Sequence, residues 1–246
     1  VTEVAGVVWE YLRLEVRRTL RDPGFVVGTV VMPVTMYLLF TNLGDGDASG
    51  WKTASMVGMA AYGAMGSALN TGAGVAEDKS TGWLRQLRIT PMTPRQVVIG
   101  RALTGAVTVL PAIVVVLVAG GLVNGVRLDV WKWAVIALLL WLGSIPFTLL
   151  GLGNGYRLTA QTTGVANLAC NLVLAVVGGL WFPLALFPEW LRSVSAYMPT
   201  NRVAQLGTAV ADGHAPTLGA VLVLSLWLLA FGSYAVTAYR RTARTV

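Results

Sequence analysis

The 246-residue chain carries a single histidine, His214, and a single cysteine, Cys170, and that scarcity decides most of the chemistry open to it. Protein zinc sites gather several nitrogen, sulfur or carboxylate ligands, and a covalent catalyst needs a nucleophile with a base beside it. With one residue of each kind, neither a multi-thiol metal centre, nor an intrachain disulfide, nor a two-histidine arrangement is available. The HExxH pattern is absent as well. Lys79-Ser80 imitates the end of a phosphate-binding loop, but Asp78 stands where that loop requires glycine, and no strand leads into it. The expectation is a protein that is not an enzyme, with no catalytic residue, no metal and no cofactor of its own.

The remaining polar candidates lie within apolar surroundings. Asn70, Asn154, Asn167 and Asn171 fall inside long apolar runs, and Asn167 and Asn171, four residues apart, share one helix face. Amides at membrane depth bond neighbouring helices or contact a cargo, so Asn70, Asn167 and Asn171 are candidates for a pathway as well as for packing. None of those runs contains Asp or Glu. Ion-coupled carriers and proton pumps generally need such a group, so secondary transport is disfavoured.

The elements that must position these residues follow from composition. Of the residues 55% are hydrophobic and 12% charged, with mean hydropathy +0.68; soluble domains carry about 25% charged residues. Six apolar runs, about 24–43, 53–76, 96–123, 132–155, 162–183 and 216–239, each approach the ~20 residues that cross a bilayer as a helix. The expected fold is an all-α polytopic membrane protein with six transmembrane helices, a single domain over 1–246. Small residues at Ala60, Ala64, Ala68, Gly72 and Ala76, and again at Gly151 and Gly155, invite close helix packing. Pro33, Pro111 and Pro146 are expected to kink their spans.

Ahead of the first run, Val4, Val8, Leu12, Val16 and Leu20 recur every four residues, opposite Glu10, Arg13, Arg17 and Arg21. Residues 3–21 therefore read as an amphipathic helix lying in the membrane interface, with Arg13, Arg17 and Arg21 snorkelling towards headgroups. With the amino terminus inside, thirteen of the eighteen Lys and Arg residues fall on the cytoplasmic side. The positive-inside bias thus places both termini in the cytoplasm. The net charge of +7 fits an anionic lipid surface better than nucleic acid, because the basic residues flank apolar runs. Fifteen arginines against three lysines, with abundant Ala, Gly and Val, point to a bacterial source and its cytoplasmic membrane.

Two segments stand outside the spans. The cytoplasmic loop 77–95 opens with Glu77 and sets Trp83, Leu84 and Leu87 at helical spacing, with Arg85 and Arg88 beside them. A short helix there would lie on lipid or dock on a protein. Thr90-Pro91 ends it, and Thr93-Pro94-Arg95-Gln96 starts the next helix as a capping box with proline at the first turn. The outer segment 184–215 follows Pro183 and contains Pro188, Glu189, Trp190 and Pro199; the prolines preclude one continuous spanning helix and the aromatic residues favour the interface. A short re-entrant hairpin in the outer leaflet is expected before the last span.

The arrangement Glu77, Gly82, Leu84, Leu87, Thr90 and Pro91 between spans two and three, then Gly100-Arg101 opening span three, resembles the ABC-2 permeases of ATP-binding-cassette transporters. The Gly-rich end of span five leading to Phe182-Pro183, and Phe187-Pro188-Glu189-Trp190-Leu191 after it, match the same family; Arg101 and Phe187 replace its commoner lysine and leucine. Within the family, the daunorubicin and linearmycin drug-resistance branch is most similar. The resemblance implies that the loop is a coupling helix docking on a separate ATPase subunit that binds ATP and Mg. It further implies a second permease copy or paralogue, and export of an amphipathic or hydrophobic drug, antibiotic or lipid-like compound. A non-transporting scaffold or regulator, or an intramembrane enzyme, are the alternatives.

Overall fold

The computed structural model describes residues 14, 17, 21–42, 49–80 and 94–245, apart from the side chains of 49, 94–103 and 243–245. Of the expected interfacial helix, Leu14 and Arg17 are helical and exposed, and the Arg21 amide closes a turn onto the Arg17 carbonyl at 3.2 Å. Arg13 lies outside the described residues, as do Gly82, Trp83, Leu84, Leu87, Arg88, Thr90 and Pro91.

The architecture is an all-α polytopic membrane fold, with no strand among the described residues. Five helical stretches there are long and apolar enough to cross a membrane: Pro23–Asn42, Thr104–Leu122, Val130–Arg157, Ala160–Val177 and Leu218–Thr242. Helix α1 is Pro23–Asn42; its first turn is capped by Asp22, whose carboxylate accepts from the Gly24 amide at 2.9 Å. Helix α2 is Ser49–Ser80, α3 is Pro94–Leu122, α4 is Val130–Gly143, α5 is Ile145–Arg157 and α6 is Ala160–Val177. After a single 3-10 turn at Leu184–Leu186 come α7, Glu189–Ser195, α8, Pro199–Ala211, and α9, Leu218–Thr245.

Helix α2 is the axis of the bundle. It is 32 residues long, and α1, α3, α5, α6 and α8 all pack on it. Its small-residue ladder explains both facts. Ala60, Ala64, Ala68 and Ala76 are buried, so neighbouring backbones come close on several sides. The same substitution of Ala and Gly for Leu and Ile makes α2 less apolar than the five stretches above, because helices surround it where lipid would otherwise lie. At the periphery the balance reverses: 11% of the apolar window of α9 is buried within the chain, which leaves that helix open to lipid or to another chain.

The three intrahelical prolines differ in outcome. Ahead of Pro33, Val27–Val31 winds as a π-helix, which accommodates the missing amide and ring of a proline. The carbonyl four residues back, that of Thr29, lies against Gly63 of α2. Pro146 stands just after a break at Ser144 that divides the expected fourth span into α4 and α5, and Ser144 Oγ returns a hydrogen bond to the Trp141 carbonyl at 2.6 Å. Pro111 sits inside α3, which continues through it.

The expected fifth span, 162–183, is corrected at its outer end. Helix α6 stops at Val177, and Gly179 turns the chain with φ of 70°, a left-handed conformation that glycine adopts without a Cβ clash. The following segment packs back on the bundle. Ser195 Oγ donates to the Val177 carbonyl, and Thr200 Oγ1 donates to that of Leu174 at 2.7 Å. The Asn201 amide donates to the Gly178 carbonyl at 3.2 Å. Helix α8 then runs antiparallel to α4: Val203 faces Gly143, Gly207 faces Val57 and Ile136, and Lys132 Nζ donates to the Ala211 carbonyl at 3.0 Å. Pro199 is buried at the start of α8 and Pro183 is half-buried, whereas Pro188, Glu189 and Trp190 are exposed.

Candidate functional site at the Lys79 end of the bundle

The end of α2 that leads into the loop is held by a junction of three helices. An α-helix ends with carbonyls that have no intrahelical partner, and its dipole favours a cation there. Helix α5 ends at Arg157, and the cation supplied to it is Lys79, on the last turn of α2. Its Nζ donates to the carbonyls of Gly155 at 3.4 Å, Tyr156 at 3.0 Å and Leu158 at 2.7 Å. An ammonium has three donors, so these acceptors use its full capacity. A cation at a helix C-terminus contributes ~0.3–1 kcal/mol when exposed and up to ~2 kcal/mol when partly buried. Burial lowers the Lys79 pKa from the ordinary lysine value, and the carbonyls oppose that shift because they favour the charged form.

Helix α9 joins at the same point. Thr242 Oγ1 donates to the Tyr156 carbonyl at 2.8 Å, and the Tyr156 and Tyr239 rings meet edge to face with centroids 5.2 Å apart. Val75, Leu152, Tyr156 and Ala238 form a buried apolar cluster beneath. Deeper in, α2 and α5 cross with backbones in direct contact. A Cβ at Gly72 or Gly151 would overlap the backbone of the other helix, and one at Gly155 would overlap the Gly72 carbonyl. Gly153, on another face of α5, admits the Tyr234 ring of α9.

A chain of amide bonds extends this contact to α6. Tyr234 Oη donates to Asn154 Oδ1 at 3.0 Å, the Asn154 amide to Asn167 Oδ1 at 2.9 Å, and the Asn167 amide to the Leu69 carbonyl of α2 at 2.8 Å. Four helices are thereby linked through two buried asparagines, Asn154 and Asn167. Among the sequence candidates, Asn167 thus serves interhelical bonding. Asn171 is buried one turn away with its Oδ1 unpaired, and Asn70 is half-buried outside this chain of bonds.

Glu77, the first residue of the expected loop 77–95, is exposed on the last turn of α2, which continues to Ser80, and Arg17 and Arg21 are exposed near the start of α1. The structure therefore places the anchorage of the expected coupling loop, while the loop's own residues from Gly82 to Pro91 lie outside the described residues. Sequence reasoning missed Lys79, Tyr234 and Thr242. Their partners are, apart from Asn154, backbone carbonyls on helices far away in sequence, which no side-chain pattern announces. The usable signal was a lone lysine at the end of a span, with Gly-x-x-x-Gly-Tyr-Arg ending another.

The model of the family described as "ABC-2 type transporter" matches residues 7–206. A protein of Bacillus subtilis (strain 168) bearing the name "Putative transport permease YvfS" is 25% identical over 221 residues, which is 88% of this chain and 90% of that protein. The matched region includes Lys79 and its acceptors on α5, the loop after it and most of the outer segment, but not α9. With the apolar helices described above, this establishes that the chain is a multi-pass membrane protein belonging to the ABC-2 type transporter family.

Proposed function

We propose that this chain is the permease subunit of an ATP-driven exporter in a bacterial cytoplasmic membrane. A separate ATPase subunit binds ATP and Mg, docks on the loop 77–95, and acts on two permeases, this one and a second copy or paralogue. The observation that carries the reading is the family match across 7–206, which includes that loop and the helix α2 to which it is attached. In this reading α2 is the sixth spanning helix, both termini are cytoplasmic, and the segment from Pro183 to Ala211 is the re-entrant hairpin. The packing of α8 along the α4 span, with Val203 beside Gly143 at its inner end, supports that last assignment.

The cargo proposed is an amphipathic or hydrophobic compound, a drug, antibiotic or lipid-like molecule. The bundle offers apolar outer faces on α6 and α9, where Val165, Leu168, Leu222, Leu226 and Leu229 are exposed, and no buried carboxylate among the described residues. A cargo dissolved in lipid can reach such faces directly.

The test is copurification of the ATPase subunit with the tagged permease from its native membrane. Leu84→Asp or Leu87→Asp is expected to abolish association while the permease still inserts, because a carboxylate would have to be buried in the docking face. Undiminished association in both variants would remove the loop from the coupling role. Absence of any ATPase partner for the unmodified chain would favour the scaffold or regulator instead.

A further inference from the structure

We infer that Lys79 is a clasp that makes the loop-bearing end of α2 and the adjoining ends of α5 and α9 move as one body. This rests on the coupling reading above and assigns a positioning role that the family match does not contain. The loop joins two helices, so a displacement entering it can pass forward into α3 or backward into α2. The backward route is the one the described contacts stiffen. Ser80, the last residue of α2, is adjacent to Lys79, whose ammonium is committed to the carbonyls of Gly155, Tyr156 and Leu158 at the end of α5. The Tyr156 carbonyl is shared with Thr242 of α9, at 2.8 Å.

A cation held by a carboxylate at a surface exchanges readily with other ions, and such pairs hold little. Lys79 has no carboxylate among its hydrogen-bond acceptors, which are all main-chain atoms of one helix end. Displacing it would take the lysine donor from all three carbonyls and leave that of Tyr156 with Thr242 alone. Beneath the clasp, the Gly72, Gly151 and Gly155 backbones allow no sliding space between α2 and α5, and Tyr234 fills the notch at Gly153. Motion of the α2 end therefore carries α5 and α9 with it. Through α9, the least buried of the five long apolar stretches, the stroke reaches the periphery of the subunit.

The experiment is pulsed electron spin resonance on full-length permease in lipid nanodiscs, in a Cys170→Ala background, with nitroxides at Ser80→Cys on α2 and Arg240→Cys on α9. The unmodified clasp is expected to give a narrow distance distribution that keeps its mean when the copurifying ATPase and ATP with Mg are added. Lys79→Met, which keeps the stem and removes the donors, is expected to broaden that distribution about twofold even in the isolated permease, because the last turn of α2, beyond the glycine contacts, is then no longer tied to the end of α5. Lys79→Arg, which keeps a cation with several donors, is expected to preserve it. Thr242→Val supplies a gentler second variant that broadens the Ser80 to Arg240 distance while a Ser80 to Arg157 pair, labelled through Arg157→Cys, stays narrow. The clasp is overturned if Lys79→Met leaves the Ser80 to Arg240 distribution as narrow as Lys79→Arg does, or if ATP changes its mean in the unmodified protein. Because the isolated permease already reads the clasp, failure to bind an ATPase would count against the coupling reading and not be confused with failure of the clasp.

Discussion

The two ends of the bundle are built on different principles. At the Lys79 end, helices meet backbone to backbone, through Gly72, Gly151 and Gly155, and the joint is closed by a lysine with three carbonyl acceptors. At the opposite end Gly58 lies against the Leu180 backbone, but most contacts are made by side chains: Val203 against Gly143, Val57 against Gly207, Trp181 edge-on to Tyr62 at 5.4 Å, and Phe182 against Phe40 at 5.9 Å. A lysine also caps a helix there, but Lys132 makes one bond to the Ala211 carbonyl and stands 4.0 Å from the Asp129 carboxylate. Glycine contacts leave no rotamers to adjust, whereas side-chain contacts can repack. The contrast suits a subunit that receives a stroke at one end and changes shape at the other.

The comparison breaks most visibly at Gly151. A methyl group there would overlap the Leu69 backbone, and no side-chain rotation relieves it, so α2 and α5 would have to separate. Gly151→Val is expected to cost about 3 kcal/mol, the upper part of the range for overpacking. The measurement is the midpoint of heat-induced loss of monodisperse protein in detergent. If instead the variant retains the native midpoint, the backbone contact is not what holds this end together. The same change at the outer end, Gly207→Val, meets a side-chain methyl of the buried Val57 instead of backbone and is expected to shift the midpoint less.

Asn167→Ala comes next. It removes two hydrogen bonds, one to the Leu69 carbonyl and one from Asn154, and leaves both partners buried. Interhelical polar bonds in membrane proteins average about 0.6 kcal/mol with a maximum near 1.7, so a loss of about 1–2 kcal/mol is expected. Export and ATPase association are expected to persist in proportion to the folded fraction, since both Asn167 amide atoms serve packing. A variant of normal stability with lost export would return Asn167 to the pathway.

How much of this was legible in the residues alone follows from where the determinants lie. The spans were legible because lipid demands long apolar stretches. Helix α2 was legible by its ladder of small residues even though helices replace lipid around it. The end of α6 was misplaced by six residues, from 183 to 177, because Leu180, Trp181 and Phe182 continue the apolar character past the glycine turn. Helix α8 was read only as part of a hairpin: its 13 residues are too few to span, only one face is apolar, and the buried Thr200 and Asn201 on that face are satisfied by carbonyls that only the folded chain brings near. The Lys79 joint was invisible for the same reason, its acceptors being main-chain atoms on α5.

The smallest expected effect sharpens the comparison from the outer side. Lys132 resembles Lys79 in capping a helix end, and if lysine caps were equivalent the two methionine variants would behave alike. The structure separates them. The Lys132 side chain is 17% exposed, but it has one carbonyl acceptor against three for Lys79, and its carboxylate neighbour, Asp129, is 69% exposed and 4.0 Å away, so water can solvate that carboxylate once the lysine is gone. Exposed ion pairs contribute ~0–1 kcal/mol and a single exposed C-terminal cation ~0.3–1 kcal/mol. Lys132→Met is therefore expected to lower the thermal midpoint only slightly, with the shift shrinking further in high salt because the pair is screened. Lys79→Met, which loses three part-buried main-chain acceptors and no ion pair among the described residues, is expected to show a shift that salt leaves in place. Measuring both variants at low and high salt distinguishes a joint held by local geometry from one held by surface charge, and equal salt dependence would mean that the two ends are not as different as their contacts imply.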